Sequence, residues 1–175
     1  PAPTGGINVG CAGVLLPFKT WYYTLSVRNL SNTPFVISAV SYALTLTGSA
    51  DLPAGAVATI AAYLQEGGSP TLGVFVENNA AIDAGNARVT ARHLADFGAV
   101  DVLANDGAVF EGVTNGQGGD ADVPADTYNF KITAAGDPET VAFDADVALA
   151  EGTNTIAYAI GSVAGGNFQV ATAAI

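Results

Sequence analysis

Residues 87–113 read ARVTARHLADFGAVDVLANDGAVFEGV, and apolar and polar side chains alternate through most of this stretch. The alternation, together with the β-branched residues, predicts strands at 87–93, 99–104 and 108–113. The pair Asp106-Gly107 is a hairpin signal, because Asp tolerates and Gly prefers the positive φ of a tight turn. Three short strands in succession favour an all-β chain.

The same pattern continues on both sides of this stretch. No segment has a convincing period of 3.6, and turn sequences such as Pro53-Ala54-Gly55 and Glu66-Gly67-Gly68 separate the apolar runs. Many short strands at this spacing predict a sandwich or a barrel. Further strands are expected at 6–10, 21–28, 35–40, 43–47, 56–64, 71–77, 127–134, 140–143, 153–160 and 168–173.

Composition excludes several functional classes. Half of the 175 residues are apolar, which suits a buried core, and the net charge is −11. A field of that sign repels phosphate backbones and disfavours adsorption to anionic membranes, so no nucleic-acid partner is expected. No run reaches the roughly 18 apolar residues that a membrane helix needs, so no membrane insertion is expected. The chain has no Met and begins Pro1-Ala2-Pro3, so either a signal peptide has been removed or the sequence is shortened at this end, and we expect an exported protein.

The chain repeats itself at a spacing of about ninety residues. Residues 6–9 parallel 99–102, and 52–61 parallel 149–157, so we predict two tandem repeats, 1–83 and 84–175. The second repeat opens with a strand near Asn86, whereas the first has only Pro1–Gly5 there. Either the first repeat lacks its leading strand and takes one from a neighbouring subunit, or its N-terminus is missing from the sequence.

The order of these elements resembles a known family. It runs from a strand ending in His, through an Asp-containing loop, a Val-Asp-Val strand and a hairpin Gly, to Pro-Ala-x-Thr-Tyr and Leu-x-x-Gly-x-x-Thr. The residues that carry it are Arg92–Asp96, Ala99–Val102, Asp106-Gly107, Pro124–Tyr128, and Leu149–Gly152 with Thr155.

This pattern resembles the domain-of-unknown-function family 4397, closely over 87–161 and more loosely over 1–64. The resemblance implies exported tandem domains without established catalytic residues. By analogy it also implies immunoglobulin-like or transthyretin-like sandwiches. The first repeat departs from the pattern, because it lacks the leading strand and its His, and Asn8 replaces the Asp.

One acidic segment is a candidate metal site. Residues 116–122 are rich in Gly and Asp, and Asp120, Asp122 and Asp126 offer the oxygen ligands that calcium prefers on a flexible loop. A solvated turn between strands is the simpler interpretation, and no cofactor is then expected. Calcium is the one alternative.

No set of catalytic residues emerges. His93 is the only histidine and no Gly-x-Ser-x-Gly motif occurs, so a Ser-His-Asp hydrolase has little support. We expect His93 to be structural, with its ring capping a loop through Asp96. The chain is therefore predicted not to be an enzyme.

The aromatic cluster Trp21-Tyr22-Tyr23 is the candidate contact surface. In a strand, Trp21 and Tyr23 share one face and Tyr22 lies on the other, so at least one ring is expected in the core. The remaining rings would contact a ligand, such as a glycan, or another subunit. Asn29-Leu30-Ser31 matches the N-glycosylation pattern, which makes Asn29 a candidate surface site.

Taken together, these features predict an extracellular structural or assembly protein of the cell surface. It would self-associate into a homo-oligomer or filament by donor-strand complementation, and the apolar tail Val170–Ile175 could supply a strand. The alternative is a secreted binding module for a glycan or a protein ligand.

Overall fold

The computed structural model describes the backbone of residues 7–15, 21–29, 35–37 and 50–175, and side chains from residue 52 onward. These residues form strands and turns without any helix, so the prediction of an all-β chain is confirmed. In the described part of the chain, no helix that could span a membrane is found.

The chain divides into two compact units. The first comprises Pro1–Tyr63 and Pro70–Asn79, and the second comprises Leu64–Ser69 and Ala80–Ile175. In the first unit, one sheet has the order β1-β2-β5-β6, and β3 and β4 form a separate pair. Its core includes the buried residues Leu52, Ala58 and Ile60. The strands are β1 (Ile7–Leu15), β2 (Trp21–Asn29), β3 (Phe35–Ile37), β4 (Ala50–Leu52), β5 (Val57–Leu64) and β6 (Pro70–Glu77).

The second unit is a β-sandwich of two four-stranded sheets. Sheet I has the order β10-β7-β13-β14, and sheet II has the order β12-β11-β8-β9. The strands are β7 (Asn86–Asp96), β8 (Val100–Ala104), β9 (Gly107–Val113), β10 (Gly118–Pro124), β11 (Thr127–Ala134), β12 (Asp137–Ala148), β13 (Asn154–Ser162) and β14 (Gln169–Ala174).

One core lies between these sheets. Val89 and Ala91 of sheet I pack in the same buried cluster as Val102, Phe130 and Ile132 of sheet II. These residues occupy alternate positions of their strands, and therefore one face of each sheet. The alternation read from the sequence thus marks the inner faces of the second sandwich.

The centre of sheet I is a parallel pair, β7 with β13, and all the other registered strand pairs are antiparallel. β7 is buried on both faces, with Ala87 and Val89 on one side and Thr90 and Leu94 on the other. Burial on both faces is typical of a strand in the middle of a parallel pair.

The predicted strands that fall on described residues are strands in the structure, and 43–47 lies outside those residues. Two strands were missed. β4 was not predicted, and β10 was interpreted as a Gly- and Asp-rich turn, which was wrong. β10 pairs along its length with β7, where Asp122 lies opposite Arg88, and these pairings outweigh the low strand propensity of Gly and Asp.

The described strands of the two units follow different orders, so the tandem immunoglobulin-like repeats with limits 1–83 and 84–175 stay a prediction. The same holds for the missing leading strand of the first repeat, because Pro1–Gly5 lies outside the described residues.

Candidate functional site

The three predicted calcium ligands are each placed by the structure. Asp120 and Asp122 lie on β10, and Asp126 precedes β11, where its Oδ1 accepts a hydrogen bond from the Thr127 amide at 2.7 Å. Among the described residues, no group of three or more His, Cys, Asp or Glu side chains is arranged to hold a metal. The calcium site stays a prediction.

Asp122 has a different partner in the structure. Arg88 donates from Nε to Asp122 Oδ1 at 2.6 Å and from Nη2 to Oδ2 at 2.8 Å. This two-point hydrogen bond lowers the pKa of the Asp122 carboxyl and raises that of the guanidinium. Arg88 is only 3% exposed, so the pair ties β10 to the buried strand β7.

The aromatic cluster and the glycosylation candidate all lie on β2, as Trp21, Tyr22, Tyr23 and Asn29. Their side chains lie outside the described residues. The role of the three aromatic residues in ligand or subunit contact stays a prediction, and so does glycosylation of Asn29.

His93 does not bind Asp96, so that expectation was wrong. Its Nε2 lies 2.9 Å from the Gly98 carbonyl oxygen. Asp96 instead accepts hydrogen bonds from the Gly67 amide at 2.8 Å and from Ser162 Oγ at 3.3 Å. His93 is 2% exposed, and this burial lowers its pKa, because the imidazolium ion is poorly solvated there.

Burial of His93 makes stability depend on pH. As the pH falls past about 6.5, the unfolded chain binds a proton that folded His93 does not, so the unfolding free energy decreases by up to about 1.4 kcal/mol per pH unit. Urea unfolding at pH 7.5, 6.5 and 5.5 measures this slope. The His93→Asn variant should lack it, and equal slopes in both proteins would refute the assignment.

An apolar cavity of about 90 Å³ lies between the sheets of the second sandwich. Small side chains of sheet I, namely Ala91, Ala157 and Ala159, face larger ones of sheet II, such as Phe130 and Phe143. The three alanines leave the space unfilled, where a close-packed core would carry larger residues.

The cavity is accessible along the β13–β14 side. Thr155 and Ala157 border it from β13 and are only half-buried, and Thr172 of β14 is exposed. On the opposite face of β13, Ile156 and Tyr158 are 1% and 3% exposed. Small groups can therefore enter the sandwich interior from this side.

The four edges of the second sandwich differ in how they are protected against strand addition. Charges, prolines and irregular register discourage further pairing, and three edges have them. β10 has two Asp residues and a Pro, β9 has Glu111 and an irregular register, and β12 has four acidic residues, Pro138 and two register shifts.

β14 has none of these protections. Its sequence, QVATAA, contains no charge and no Pro, and its register with β13 is regular. The amides of Asn154 and Ile175 each donate to the other residue's carbonyl oxygen at 3.0 Å. In an antiparallel pair, residues that bond to the partner strand alternate with residues that do not. The N–H and C=O groups of residues 170, 172 and 174 therefore face away from β13. These groups form a regular, uncharged edge.

The sequence analysis singled out the C-terminal segment, but as a strand to be donated rather than as an edge that accepts one. Val170–Ile175 was interpreted as a strand available for donation, whereas the structure pairs it with β13 inside its own unit. The lack of charge in the last eight residues was the visible signal. The edge position and the cavity beneath it depend on sheet pairing, which the alternation does not specify.

Comparison with known proteins identifies no relative. No protein-family model, curated protein or solved structure matches the chain. The resemblance to family 4397 therefore stays a prediction.

Proposed function

We propose that this chain is an extracellular structural subunit that self-associates by adding a strand to the outer edge of β14, which has no paired strand among the described residues. The observation that carries the proposal is the contrast among the four edges of the second sandwich, of which only β14 lacks charge, proline and irregular register. A regular edge offers unpaired N–H and C=O groups in the spacing that another strand needs.

The composition of the edge supports association of this kind. Val170, Ala171 and Ala173 are half-buried small or β-branched residues, which allow close approach of another strand. The added strand would come from a second copy of the chain. In this proposal the acceptor lies in the second unit, whereas the sequence analysis offered an empty position in the first repeat as one of two alternatives.

The overall charge controls when such contacts form. With a net charge of −11, copies repel one another at low ionic strength. Salt screens this repulsion but leaves backbone pairing largely unaffected. Association should therefore strengthen as salt is added, which suits a protein that assembles outside the cell.

A substitution at Ala174 tests the proposal. Proline there removes an outward-facing N–H without breaking a bond to β13, so Ala174→Pro should raise the concentration of half-assembly about tenfold or more, as expected when an edge contact is lost. Light scattering after size exclusion, with electron microscopy of the assemblies, gives the measurement at several salt concentrations.

Ala174→Ser is the matched control, because it keeps the N–H and should assemble like the unmodified protein. Urea unfolding of both variants checks that the sandwich is intact. An unmodified chain that stays monomeric at all concentrations and salt levels would refute self-association. Equal assembly of the Pro and Ser variants would refute the role of the β14 edge.

A further inference from the structure

The first unit also has one edge without protection against strand addition. β1 lies at the end of the order β1-β2-β5-β6, so no strand pairs with its outer side among the described residues. Its sequence, INVGCAGVL, contains no charge and no Pro, and all nine residues pair with β2 in an unbroken register. An edge of this kind offers its outward N–H and C=O groups at regular spacing.

The other described edges of the first unit differ from β1. β6, at the opposite edge of the same sheet, begins with Pro70 and ends with Glu77. β3 and β4 are only three residues long, and β4 contains Asp51. Short strands, Pro and charges all discourage a partner strand. Within the described residues, each unit therefore has one regular, uncharged edge, which is β1 in the first unit and β14 in the second.

We propose that the strand added to β14 is β1 of a second copy, so that the copies join head to tail. This inference rests on the proposed function, because it names the partner of the same β14 edge. Pairing of two different edges leaves one β1 and one β14 free at the ends of a growing assembly. Such a contact continues as an open filament unless its rotation closes a ring, whereas β14 paired with β14 would stop at a dimer.

Charge and composition support this pairing. β1 and β14 contain none of the 16 acidic residues. With a net charge of −11, a contact through an acidic edge such as β12 would bring like charges together. β1 also contains Gly10 and Gly13, and Gly inside a strand often marks a place where another backbone approaches closely. β1 is therefore the described strand that best fits the edge of β14.

Mixing two blocked proteins tests the pairing. Ala174→Pro blocks β14 and leaves β1 unchanged. β1 is blocked by Ala12→Pro or Gly13→Pro, because the N–H groups of adjacent residues point to opposite sides of a strand. The variant that is more stable in urea has lost the outward N–H, and serine at the same position is its control.

Each blocked protein alone should need at least about a tenfold higher concentration for half-assembly. An equimolar mixture should form dimers, and nothing larger, at the concentration where the unmodified chain assembles. Light scattering after size exclusion measures both. A mixture that stays monomeric would overturn the inference.

The outcomes separate this inference from the proposed function. If the β1 variant assembles like its serine control while Ala174→Pro does not, β14 accepts a strand other than β1, and the inference alone is overturned. If the β1 variant by itself forms dimers, β14 pairs with β14, which also overturns the inference alone. If Ala174→Pro assembles like Ala174→Ser, the proposed function fails as well.

The single cysteine gives a second measurement. Cys11 is the central residue of β1, so any register that pairs all of β14 with β1 places it opposite one of residues 169–174. Cysteine is introduced at each of these six positions in turn, and the assemblies are oxidised. Residues on facing strands are close enough for a disulfide.

At least one position should give a ladder of disulfide-linked multimers on a non-reducing gel, and Cys11→Ser should abolish that ladder. Linked pairs that persist after Cys11→Ser would show contact of β14 with β14 and overturn the inference. So would six assembled variants that form no link through Cys11.

Discussion

Replacing Gly161 by alanine is expected to destabilise the protein by about 2–5 kcal/mol. Gly161 has a φ of +89°, which costs a residue with a side chain about 1–2 kcal/mol. An added Cβ would also collide with the backbone carbonyl oxygen of Asn167 and lie 2.9 Å from its carbonyl carbon. Because these are backbone atoms, relief requires the 162–167 turn to move, at a further cost of about 1–3 kcal/mol.

Urea unfolding measures this loss, and Gly152→Ala is the matched control. Gly152 also has a positive φ, +70°, but nothing lies within 4 Å of an added Cβ. This variant should lose only about 1–2 kcal/mol, the conformational part alone. Equal losses at the two positions would show that the turn after β13 yields freely.

Replacing Ile156 by alanine should cost about 2–5 kcal/mol, as for other large-to-small changes of buried aliphatic residues. Ile156 is 1% exposed, on the face of β13 that points away from the cavity. Thermal or urea unfolding checks this expectation.

The neighbouring residue supplies the control for Ile156→Ala. Thr155 is half-buried beside the cavity, so Thr155→Ala should change the unfolding free energy by less than about 0.5 kcal/mol. Equal or reversed effects would mean that the cavity side of β13 is packed at least as well as the opposite side, and would count against an accessible cavity.

The strands in which apolar and polar residues alternate were predictable from the sequence. The hairpin between β8 and β9 was predicted at Asp106-Gly107, and the structure places it one residue earlier. Asn105 and Asp106 both have positive φ, at 49° and 64°, as a two-residue primed turn requires. The sequence therefore showed that a tight turn lies here, but it did not show the strand register, which decides which two residues are central in the turn.

Features that depend on pairing between distant segments were not predictable. β10 has a composition that favours turns, and its strand conformation comes from its partner β7. His93 was predicted to cap a loop through Asp96, but the chain path brings the Gly98 carbonyl oxygen to its Nε2 instead. The cavity likewise exists because alanines of β7 and β13 become neighbours in one sheet.

The parallel pairing of β7 with β13 also constrains how the protein folds. Thr90 Oγ1 donates to Asn154 Oδ1 at 2.9 Å across this pair, and the two residues are 64 positions apart. Contacts of such sequence separation are made late, because a long loop must close first. During synthesis, β7 emerges well before its partner and holds apolar groups on both faces. A chain that folds only after β13 has been released can pair the two strands at once, so folding after complete synthesis is the safer route.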